Sequence, residues 1–301
     1  MFSFTCQASG RLKDHHAIPF KIQKSEDHAL LKQVDEGPHF YSQLHYHPEF
    51  QITAIVKGEG IFYAGNGMTS FTEKDVFIIG TNVPHLFKCS QEYYTHDSPG
   101  VKGISLFFDE LSFGKSFFEI KEMDSLKHLL LASYKVVKIS GASNEMIFNQ
   151  IVETPLLQNT QLVITFLEIL ALAHDAEKTY LNGDNYNISL STNEGGRLNK
   201  VLDYTFKHFR EVISIPQIAK IAYLSRSQFS AFFKRHTGKS YIRFLNELRI
   251  ENACILLKNK SATIEQVCYE VGFQNVSNFI RQFKKIKGST PSQYRKSMTT
   301  L

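Results

Sequence analysis

The 301-residue sequence predicts an α+β protein of several domains, with an N-terminal β-barrel, a helical extension and an all-α C-terminal domain. Three observations carry this prediction. The spacing of hydrophobic residues changes from two to 3.6 near residue 116, a polar segment interrupts the chain near residue 190, and the C-terminal part contains a repeat. At roughly 100–200 residues per domain, the length is sufficient for two domains. The predicted segments are a barrel at 1–115, a helical extension at 116–181, a linker at 182–196 and the C-terminal domain at 197–301.

The N-terminal part reads as short strands separated by turn residues. Strand candidates are FQITAIV (50–56), GIFYAG (60–65), DVFIIG (75–80) and GISLFF (103–108). The breaks between them carry Gly, Pro and Asn, which favour turns. Many short strands at a spacing of about 8–12 residues are typical of an antiparallel sandwich or a small barrel.

The middle part has helical periodicity. The stretches 121–134, 144–154 and 159–181 place apolar residues at i, i+3, i+4 and i+7. The last stretch has an apolar stripe that could form a dimer interface or pack on the barrel, and both readings stay open: Leu162, Phe166, Ile169, Leu170 and Ala173. The segment NGDNYNISLSTNEGG (182–196) lacks periodicity and is rich in Gly, Asn and Ser, so it is predicted to be a linker.

Charge is distributed unequally between the two ends of the chain. Residues 197–301 contain 19 Lys and Arg against 6 Asp and Glu, a net charge of +13. The remaining 15 basic and 23 acidic residues give 1–196 a net charge of −8. A basic end attached to an acidic remainder suggests a nucleic-acid-binding domain joined to a domain with another task.

The C-terminal part contains two copies of one motif. IPQIAKIAYLSRSQFSAFFKRHTGKS begins at residue 215, and IEQVCYEVGFQNVSNFIRQFKKIKGSTPSQY begins at residue 264. Ile215, Ile218 and Leu224 match Ile264, Val267 and Phe273 at an offset of 49 residues. Each copy predicts two short helices joined by a tight turn, at 214–238 and 263–288, with a linking helix at 241–258.

Residues with suitable capping chemistry occupy the ends of these predicted helices. Ser214 and Thr263 are expected N-caps of the first helices, and Ser225 and Asn275 of the second helices. Glycines follow the basic last turns of the second helices, as in glycine C-caps. Agreement between periodicity and capping makes the helix-turn-helix prediction specific.

The second helix of each copy is predicted to be the recognition helix. Its apolar side faces the core, and its polar side is expected to contact DNA, because residues near the helix N-terminus suit base edges and basic residues suit phosphates. The predicted DNA-binding residues of the first copy are Ser225, Arg226, Ser227, Gln228, Ser230, Lys234 and Arg235. Those of the second copy are Asn275, Ser277, Asn278, Arg281, Lys284 and Lys285.

These motifs, together with the linking helix LNELRIENACILL, resemble the AraC/XylS family of transcription regulators. The resemblance covers about residues 197–298. It implies two helix-turn-helix units, binding to paired half-sites of double-stranded DNA, frequent homodimerisation and usually activation of transcription. Contact with RNA polymerase is possible on the same basis.

The N-terminal part looks like the cupin-type sensory barrel that precedes such DNA-binding domains. LHYHPEFQITAIVKGEG (44–60) and EKDVFIIGTNVPHLF (73–87) carry this resemblance. Metal-binding cupins have a His-x-His pair, a Glu four residues later and a further His. Here His45, His47 and His85 match, but Gln51 stands at the position of the Glu.

Three interpretations of these four residues remain open. The histidines could form an imidazole-rich metal site. His45, His47, Gln51 and His85 could instead line a pocket for a small polar effector, or they could be structural strand residues. The missing carboxylate argues against a metal, so no cofactor is predicted.

The leading functional hypothesis is a DNA-binding transcription regulator that responds to a small-molecule effector. The alternative is a cupin metal-dependent enzyme fused to a DNA-binding domain, but no nucleophile-base pair is evident and the protein is not expected to be an enzyme. The opening residues lack an apolar signal sequence, and no stretch has the roughly 20 apolar residues of a membrane span. A cytoplasmic location without membrane association is therefore expected.

Overall fold

A computed structural model describes residues 18–19, 22, 28–131, 135–183 and 192–298 of the chain. Most of the predicted linker, at 184–191, lies outside the described residues. The described part is built around two facing β-sheets, with helices on both outer sides.

The first sheet has five strands in the order β1-β3-β8-β5-β6. Its strands pair antiparallel, except that β1 runs parallel to β3. The strands are β1 (Ile18–Pro19), β3 (His45–Tyr46), β5 (Gly60–Ala64), β6 (Gly67–Phe71) and β8 (His85–Cys89).

The second sheet has six antiparallel strands in the order β11-β10-β7-β4-β9-β2. The strands are β2 (Leu31–Gly37), β4 (Phe50–Lys57), β7 (Val76–Ile79), β9 (Val101–Phe108), β10 (Val136–Ser140) and β11 (Glu177–Tyr180). The N-terminal part is thus the predicted β-rich, cupin-like domain, and over the described residues its two sheets face each other without closing into one.

Alternate residues of each strand serve two different cores, as the period of two requires. Phe62 of β5 and Phe77 of β7 meet between the sheets, with ring centroids 4.7 Å apart. The outer face of the second sheet, including Ile52 and Leu106, packs on helices. The outer face of the first sheet belongs to a core shared with the C-terminal domain.

Three helices cover the outer face of the second sheet. They are α1 (Asp124–Leu131), α2 (Ser143–Glu153) and α3 (Asn159–Asp175). Four 3-10 helices accompany the described strands and helices, at Gln91–Tyr94, Phe117–Glu119, Lys121–Met123 and Thr154–Leu156.

The predicted helical extension requires one correction, because it also contains strands, and the structure favours one of the two readings of its apolar stripe. Residues 136–140 and 177–180 are strands β10 and β11, which extend the second sheet beyond β7. The apolar stripe of α3 is packed into the core with this sheet: Phe166, Ile169 and Ala173 have no exposed surface. The stripe is therefore not free to form a dimer interface.

The C-terminal domain is entirely helical over its described residues. Its helices are α4 (Thr192–His208), α5 (Ile215–Ile221), α6 (Arg226–Thr237), α7 (Tyr241–Leu256), α8 (Ile264–Glu270), α9 (Val276–Lys287) and α10 (Pro291–Ser297). Helix α4 begins five residues before the predicted start of this domain, inside the segment predicted to be linker.

The two helix-turn-helix units are α5 with α6 and α8 with α9, and the predicted caps are present in both. The side chains of Ser214 and Thr263 accept hydrogen bonds from backbone N–H groups of the first helices. Ser225 and Asn275 do the same at the second helices. These caps satisfy backbone donors that the helices leave unpaired, which fixes where each helix begins.

Candidate effector pocket and nucleic-acid interface

Three histidines converge inside the sandwich, where β3 and β8 lie side by side. His45 is directly opposite His85 in the pairing of these strands, so both side chains leave the same face. Their ring centroids are 4.3 Å apart, and the ring of His47 lies 5.1 Å from that of His85. One ring nitrogen of each histidine lies within 4.8 Å of a ring nitrogen of the other two. The structure thus brings together the three histidines that the sequence singles out.

Backbone carbonyl groups lie beside all three rings. Each Nδ1 atom lies 2.8–3.0 Å from a carbonyl oxygen. The pairs are His45 with Gln43, His47 with Glu49, and His85 with Val83. Because a carbonyl oxygen only accepts, Nδ1 carries the proton in the neutral rings of His45 and His85, whereas both ring nitrogens of His47 face oxygen atoms.

The Gln51 side chain faces this cluster from β4 of the opposite sheet. Its Nε2 donates to Thr53 Oγ1 at 2.7 Å and to Ser105 Oγ at 3.2 Å. The two hydroxyl groups are themselves 2.8 Å apart. With the amide held in this way, its oxygen is directed at His47 Nε2, 3.1 Å away.

Burial keeps the three imidazoles neutral. His47 and His85 are almost completely buried, and burial lowers the pKa of His47 and lowers that of His85 well below its usual range. Burial, partly offset by the carbonyl of Gln43, lowers the pKa of His45 to about 4. The rings are therefore uncharged near neutral pH, which is the state in which an imidazole nitrogen binds a ligand through its lone pair.

The residues present fit a metal ion as well as a polar molecule. His85 Nε2 is among the buried side-chain atoms of the described residues that have no hydrogen-bond partner, and it is the one that lies in the histidine cluster. Imidazole nitrogens with an amide oxygen are a donor set for first-row transition metals. The carboxylate of Glu49 lies 3.6 Å from His47 Nδ1, the nitrogen bonded to the backbone, so Gln51 rather than Glu49 faces the cluster.

The first predicted recognition helix, α6, exposes its polar face. The Phe229 and Phe233 side chains are fully buried, which fixes the rotation of the helix. The predicted DNA-binding residues on this helix and at its cap are all exposed: Ser225, Arg226, Ser227, Gln228, Ser230, Lys234 and Arg235. Gln228 also closes a capping box with Ser225, because its Oε1 accepts the Ser225 backbone N–H at 3.0 Å.

The second predicted recognition helix, α9, has the same arrangement. Phe279 and Phe283 are fully buried. The predicted DNA-binding residues lie on the other side, where Asn278 is half-buried and the remainder are exposed: Asn275, Ser277, Asn278, Arg281, Lys284 and Lys285. Arg281 donates from Nη2 to Asn278 Oδ1 at 2.8 Å, so these two side chains form a unit.

One predicted phosphate-binding residue is already paired within the protein. Arg235 donates to Glu194 of α4, and His236 Nε2 lies 3.3 Å from the same carboxylate. Sequence reasoning missed Glu194 because it falls in the segment predicted to be linker. In this conformation Arg235 forms a surface ion pair that a phosphate group would have to replace.

The C-terminal domain packs against the outer face of the first sheet. Leu44, Ile61, Tyr63 and Leu86 of the sandwich are buried in the same core as the helices. The ring of Tyr63 meets that of Phe244 on the linking helix α7 edge to face, with centroids 5.5 Å apart. The two domains therefore share apolar surface rather than being joined by the linker alone.

Polar contacts fix this interface at two places. The Asn199 side chain on α4 pairs with the backbone of Leu44, at 2.8 and 3.2 Å. On α7, the buried carboxylate of Glu251 accepts the Ser70 backbone N–H at 3.0 Å and two bonds from Lys287, at 2.7 and 2.8 Å. Sequence reasoning missed these residues. The available signal was the position of Glu251, three residues after Leu248 on an otherwise apolar helix face.

Comparison with known proteins assigns both parts of the chain. Residues 31–96 match the AraC-like ligand binding domain. Residues 218–297 match a helix-turn-helix domain family, and this span contains the second repeat unit and all but the first residues of the first. The chain belongs to the AraC family of transcription regulators.

Relatives of this AraC-family regulator carry matching descriptions. An uncharacterized HTH-type transcriptional regulator of Bacillus subtilis (strain 168), YdeC, is 24% identical over 87% of this chain and 89% of its own length. An uncharacterized HTH-type transcriptional regulator of Staphylococcus aureus (strain COL) is 27% identical over 80% of this chain. This AraC-family chain spans only 30% of the length of that staphylococcal relative.

Solved structures similar to this AraC-family regulator include a DNA-binding domain and a chain of nearly the same length. The DNA-binding domain of AdpA, in complex with a target DNA, is 27% identical over 34% of this chain and 91% of that chain, with a TM-score of 0.32. ToxT from Vibrio cholerae O395 is 13% identical over 91% of this chain and 99% of that chain, with a TM-score of 0.36. In the described part of the regulator, every helix is too short or too polar to cross a lipid bilayer.

Proposed function

We propose that this regulator changes its affinity for a specific DNA site when a small ligand binds among His45, His47, Gln51 and His85. The supporting observation is that adjacent residues at β3 and β8 serve two different sites. His45 and His85 lie in the histidine cluster, whereas Leu44, which precedes β3, and Leu86 of β8 lie in the core shared with the C-terminal domain. A ligand that shifts β3 or β8 must therefore shift side chains on which helices of the C-terminal domain pack.

Close packing makes this route of coupling effective. Buried cores have little free volume, so small displacements are transmitted rather than absorbed. Ligand binding alters DNA affinity only if the ligand interacts differently with the two arrangements of the domains. The histidine cluster is separated from the domain interface by the thickness of one strand. A ligand bound there therefore lies close to the packing that would differ between the two arrangements of the domains.

On the DNA side, α6 and α9 are proposed to enter successive major grooves. Arg226, Gln228, Asn275 and Asn278 lie near the helix N-termini and offer donors and acceptors to base edges. The exposed basic residues further along, Lys234, Lys284 and Lys285 among them, are proposed to contact phosphates. The exposure of these side chains supports the assignment.

The proposal is tested by altering the pocket and measuring DNA binding by the full chain. A preferred duplex is first selected from a random pool, and its affinity is measured by fluorescence anisotropy at a fixed salt concentration. His85→Phe fills the cluster with an uncharged ring, and Val34→Phe adds the same ring at an exposed position of β2. We expect His85→Phe to change the affinity by about 5-fold or more, in the range of typical allosteric coupling, and Val34→Phe to leave it unchanged.

Two results would reject the proposal. Equal affinities of the two folded variants would show that the pocket and the DNA-binding surface are uncoupled. If the full chain binds no duplex more tightly than random competitor DNA, it does not bind DNA sequence-specifically.

The finer expectations from the family resemblance stay part of this proposal. They are a homodimer, activation rather than repression, contact with RNA polymerase, a cytoplasmic location and the absence of catalysis. Binding to chromosomal DNA supports the expected cytoplasmic location. Because the α3 stripe is packed in the core, a dimer is expected to use a different surface.

A further inference from the structure

The His47 and Gln51 side chains face each other at the cluster, so that one bound ion can contact both. Gln51 Oε1 lies 3.1 Å from His47 Nε2. The amide nitrogen of Gln51 donates to Thr53 and Ser105, which directs the amide oxygen into the cluster. An amide oxygen and a deprotonated imidazole nitrogen are both neutral donors to a cation.

A second observation points to the same place from the other sheet. His85 Nε2 is fully buried and, over the described part of the chain, makes no hydrogen bond. Its Nδ1 is bonded to the Val83 carbonyl, which is the arrangement usual for a histidine that ligates a metal through Nε2. An unpaired buried nitrogen of this kind is costly without a ligand.

We propose that His45, His47 and His85, together with the amide oxygen of Gln51, bind one divalent first-row transition metal ion. That this ion serves as the effector rests on the function proposed above. The set contains three neutral nitrogens and one neutral oxygen, which favours zinc, cobalt, nickel or iron over magnesium and calcium. Gln51 replaces the charged ligand expected by resemblance, so the occupied site keeps the full charge of the ion.

The surrounding side chains hold the ligands in position. The Thr53 and Ser105 hydroxyl groups fix the Gln51 amide, and three backbone carbonyls fix the imidazole rings. Such supporting contacts typically contribute about 10- to 100-fold to metal affinity. Thr53 and Ser105 are therefore positioning residues of the proposed site.

The distances also suggest how the ion would act on the protein. Nitrogen ligands around a tetrahedral ion with bond lengths of about 2.0–2.1 Å lie roughly 3.4 Å apart. The ring nitrogens here are up to 4.8 Å apart, so binding is expected to draw the three rings together. Leu44, which precedes β3, and Leu86 of β8 would carry that change to the C-terminal domain.

The test uses the full chain after dialysis against a chelator. Cobalt(II) is titrated in, and its visible absorption reports both stoichiometry and coordination. We expect one cobalt per chain, displaced by zinc, and X-ray absorption of the wild-type complex showing imidazole ligands. His85→Ala and Gln51→Ala should weaken cobalt binding, on the order of 100-fold for the lost imidazole, and Ser105→Ala about 10- to 100-fold. His96→Ala, at an exposed turn, is the matched control and should bind cobalt normally.

The outcomes separate this inference from the function on which it rests. A wild-type chain that binds no cobalt, or a folded His85→Ala variant that binds it as tightly as the wild type, overturns the metal site. The X-ray absorption measurement on the wild type decides the case even if a variant fails to fold. Unchanged DNA affinity with the ion fully bound overturns its role as effector, while an effect of His85→Phe on DNA affinity in metal-free protein would still support coupling.

Discussion

Asn278 and Arg281 act as a pair on the exposed face of α9, because the amide oxygen of Asn278 holds the guanidinium group by a 2.8 Å hydrogen bond. Holding a long side chain in one orientation reduces the entropy lost when it binds. Arginine presents a fork of donors that matches the two acceptors of guanine in the major groove. Arg281 is therefore the residue at which base reading is most directly testable.

Replacing Arg281 by alanine should weaken binding to the selected duplex by about 1–3 kcal/mol if Arg281 reads a base. The same variant should then tolerate substitution at one position of the site. Lys285→Ala is the comparison, since a phosphate contact is lost equally on every sequence and also reduces the dependence on salt. Anisotropy titrations against a set of single-base variants measure both effects. A uniform loss for Arg281→Ala on all duplexes would assign it to a phosphate.

Gly272 is required by the turn of the second helix-turn-helix unit. Its φ is +89°, and a Cβ atom would lie 2.6–2.8 Å from the backbone of Arg210. Gly272→Ala should therefore destabilise the domain by more than the roughly 1–2 kcal/mol that a left-handed alanine costs alone. Gly288→Ala is the matched control, because its φ is +75° but no described atom lies within 4 Å of the added Cβ. In urea denaturation, the free energy of unfolding of Gly272→Ala should be well below that of Gly288→Ala. Equal decreases in the two variants would contradict the steric argument.

At the scale of elements, the helices of the two repeat units could be predicted because their signals are local. Ser214 and Gln217, and likewise Thr263 and Gln266, lie three residues apart and close capping boxes within one turn. The turn of the first unit also contains a residue with a positive φ, which the sequence does not indicate because the residue is not glycine. Tyr223, at the position corresponding to Gly272, also adopts a positive φ, of 55°.

Strands β10 and β11 were missed because they depend on partners distant in sequence. VVKIS (136–140) is only five residues long and stands between helical stretches, so its apolar residues also fit a helix. Its pairing with β7 joins residues about 60 positions apart. Glu177–Tyr180 is mostly exposed at the sheet edge, and periodicity alone therefore extends α3 through it.

The four residues of the candidate site could be predicted from the sequence, but the hydrogen bonds that orient their side chains could not. The pattern of His45, His47, Gln51 and His85 indicates a shared pocket from the sequence. The carbonyl that orients each ring, and the hydroxyl pair that orients Gln51, come from three-dimensional packing. Ser105 lies 54 residues from Gln51, and no local pattern connects them.

The ion pair between Glu251 on the linking helix α7 and Lys287 on α9 should be sensitive to loss of one partner. Burial lowers the pKa of Lys287, but the neighbouring Glu251 carboxylate raises that pKa by more, so the net pKa is raised and Lys287 is charged at neutral pH. Lys287→Met leaves Glu251 buried without its cation, which typically costs about 3–5 kcal/mol. The double variant Glu251→Gln with Lys287→Met should recover part of this loss.

Thermal unfolding of the full chain measures these effects. Lys260→Met, at an exposed loop position, is the control and should unfold like the wild type. If Lys287→Met also unfolds like the wild type, the ion pair makes no net contribution to stability.

For the whole molecule, burial of neutral histidines predicts a loss of stability in acid. The pKa values of His45, His47 and His85 are lowered in the folded state, so between about pH 6.5 and 4 the unfolded chain binds more protons. Stability of the metal-free chain should therefore be highest above pH 6.5 and decrease as the pH falls below it. Urea midpoints at pH 7, 6 and 5 test this, and His85→Gln should show a smaller decrease than wild type. His96→Gln, with its exposed ring, should retain the wild-type decrease; equal slopes for His85→Gln and wild type would contradict the assignment.

The layered arrangement of helices, two sheets and helical domain decides what removal of the N-terminal part should do. The C-terminal domain has its own core, because Phe229, Phe233, Phe279 and Phe283 are all fully buried by helices. A chain lacking residues 1–185 should therefore fold and bind the selected duplex, but it should no longer respond to changes at the histidine cluster.

Truncation also has a cost that the sequence alone does not suggest. Removing Leu44, Ile61, Tyr63 and Leu86 exposes apolar surface of α4 and α7, and Asn199 and Glu251 lose their backbone partners in the sandwich. The fragment should therefore unfold at a lower temperature than the corresponding transition of the full chain and should self-associate as its concentration rises. Calorimetry and sedimentation measure these two properties. A fragment that is monomeric and as stable as in the full chain would mean that the shared core contributes little, and then the route by which the pocket is proposed to control DNA binding would be lost.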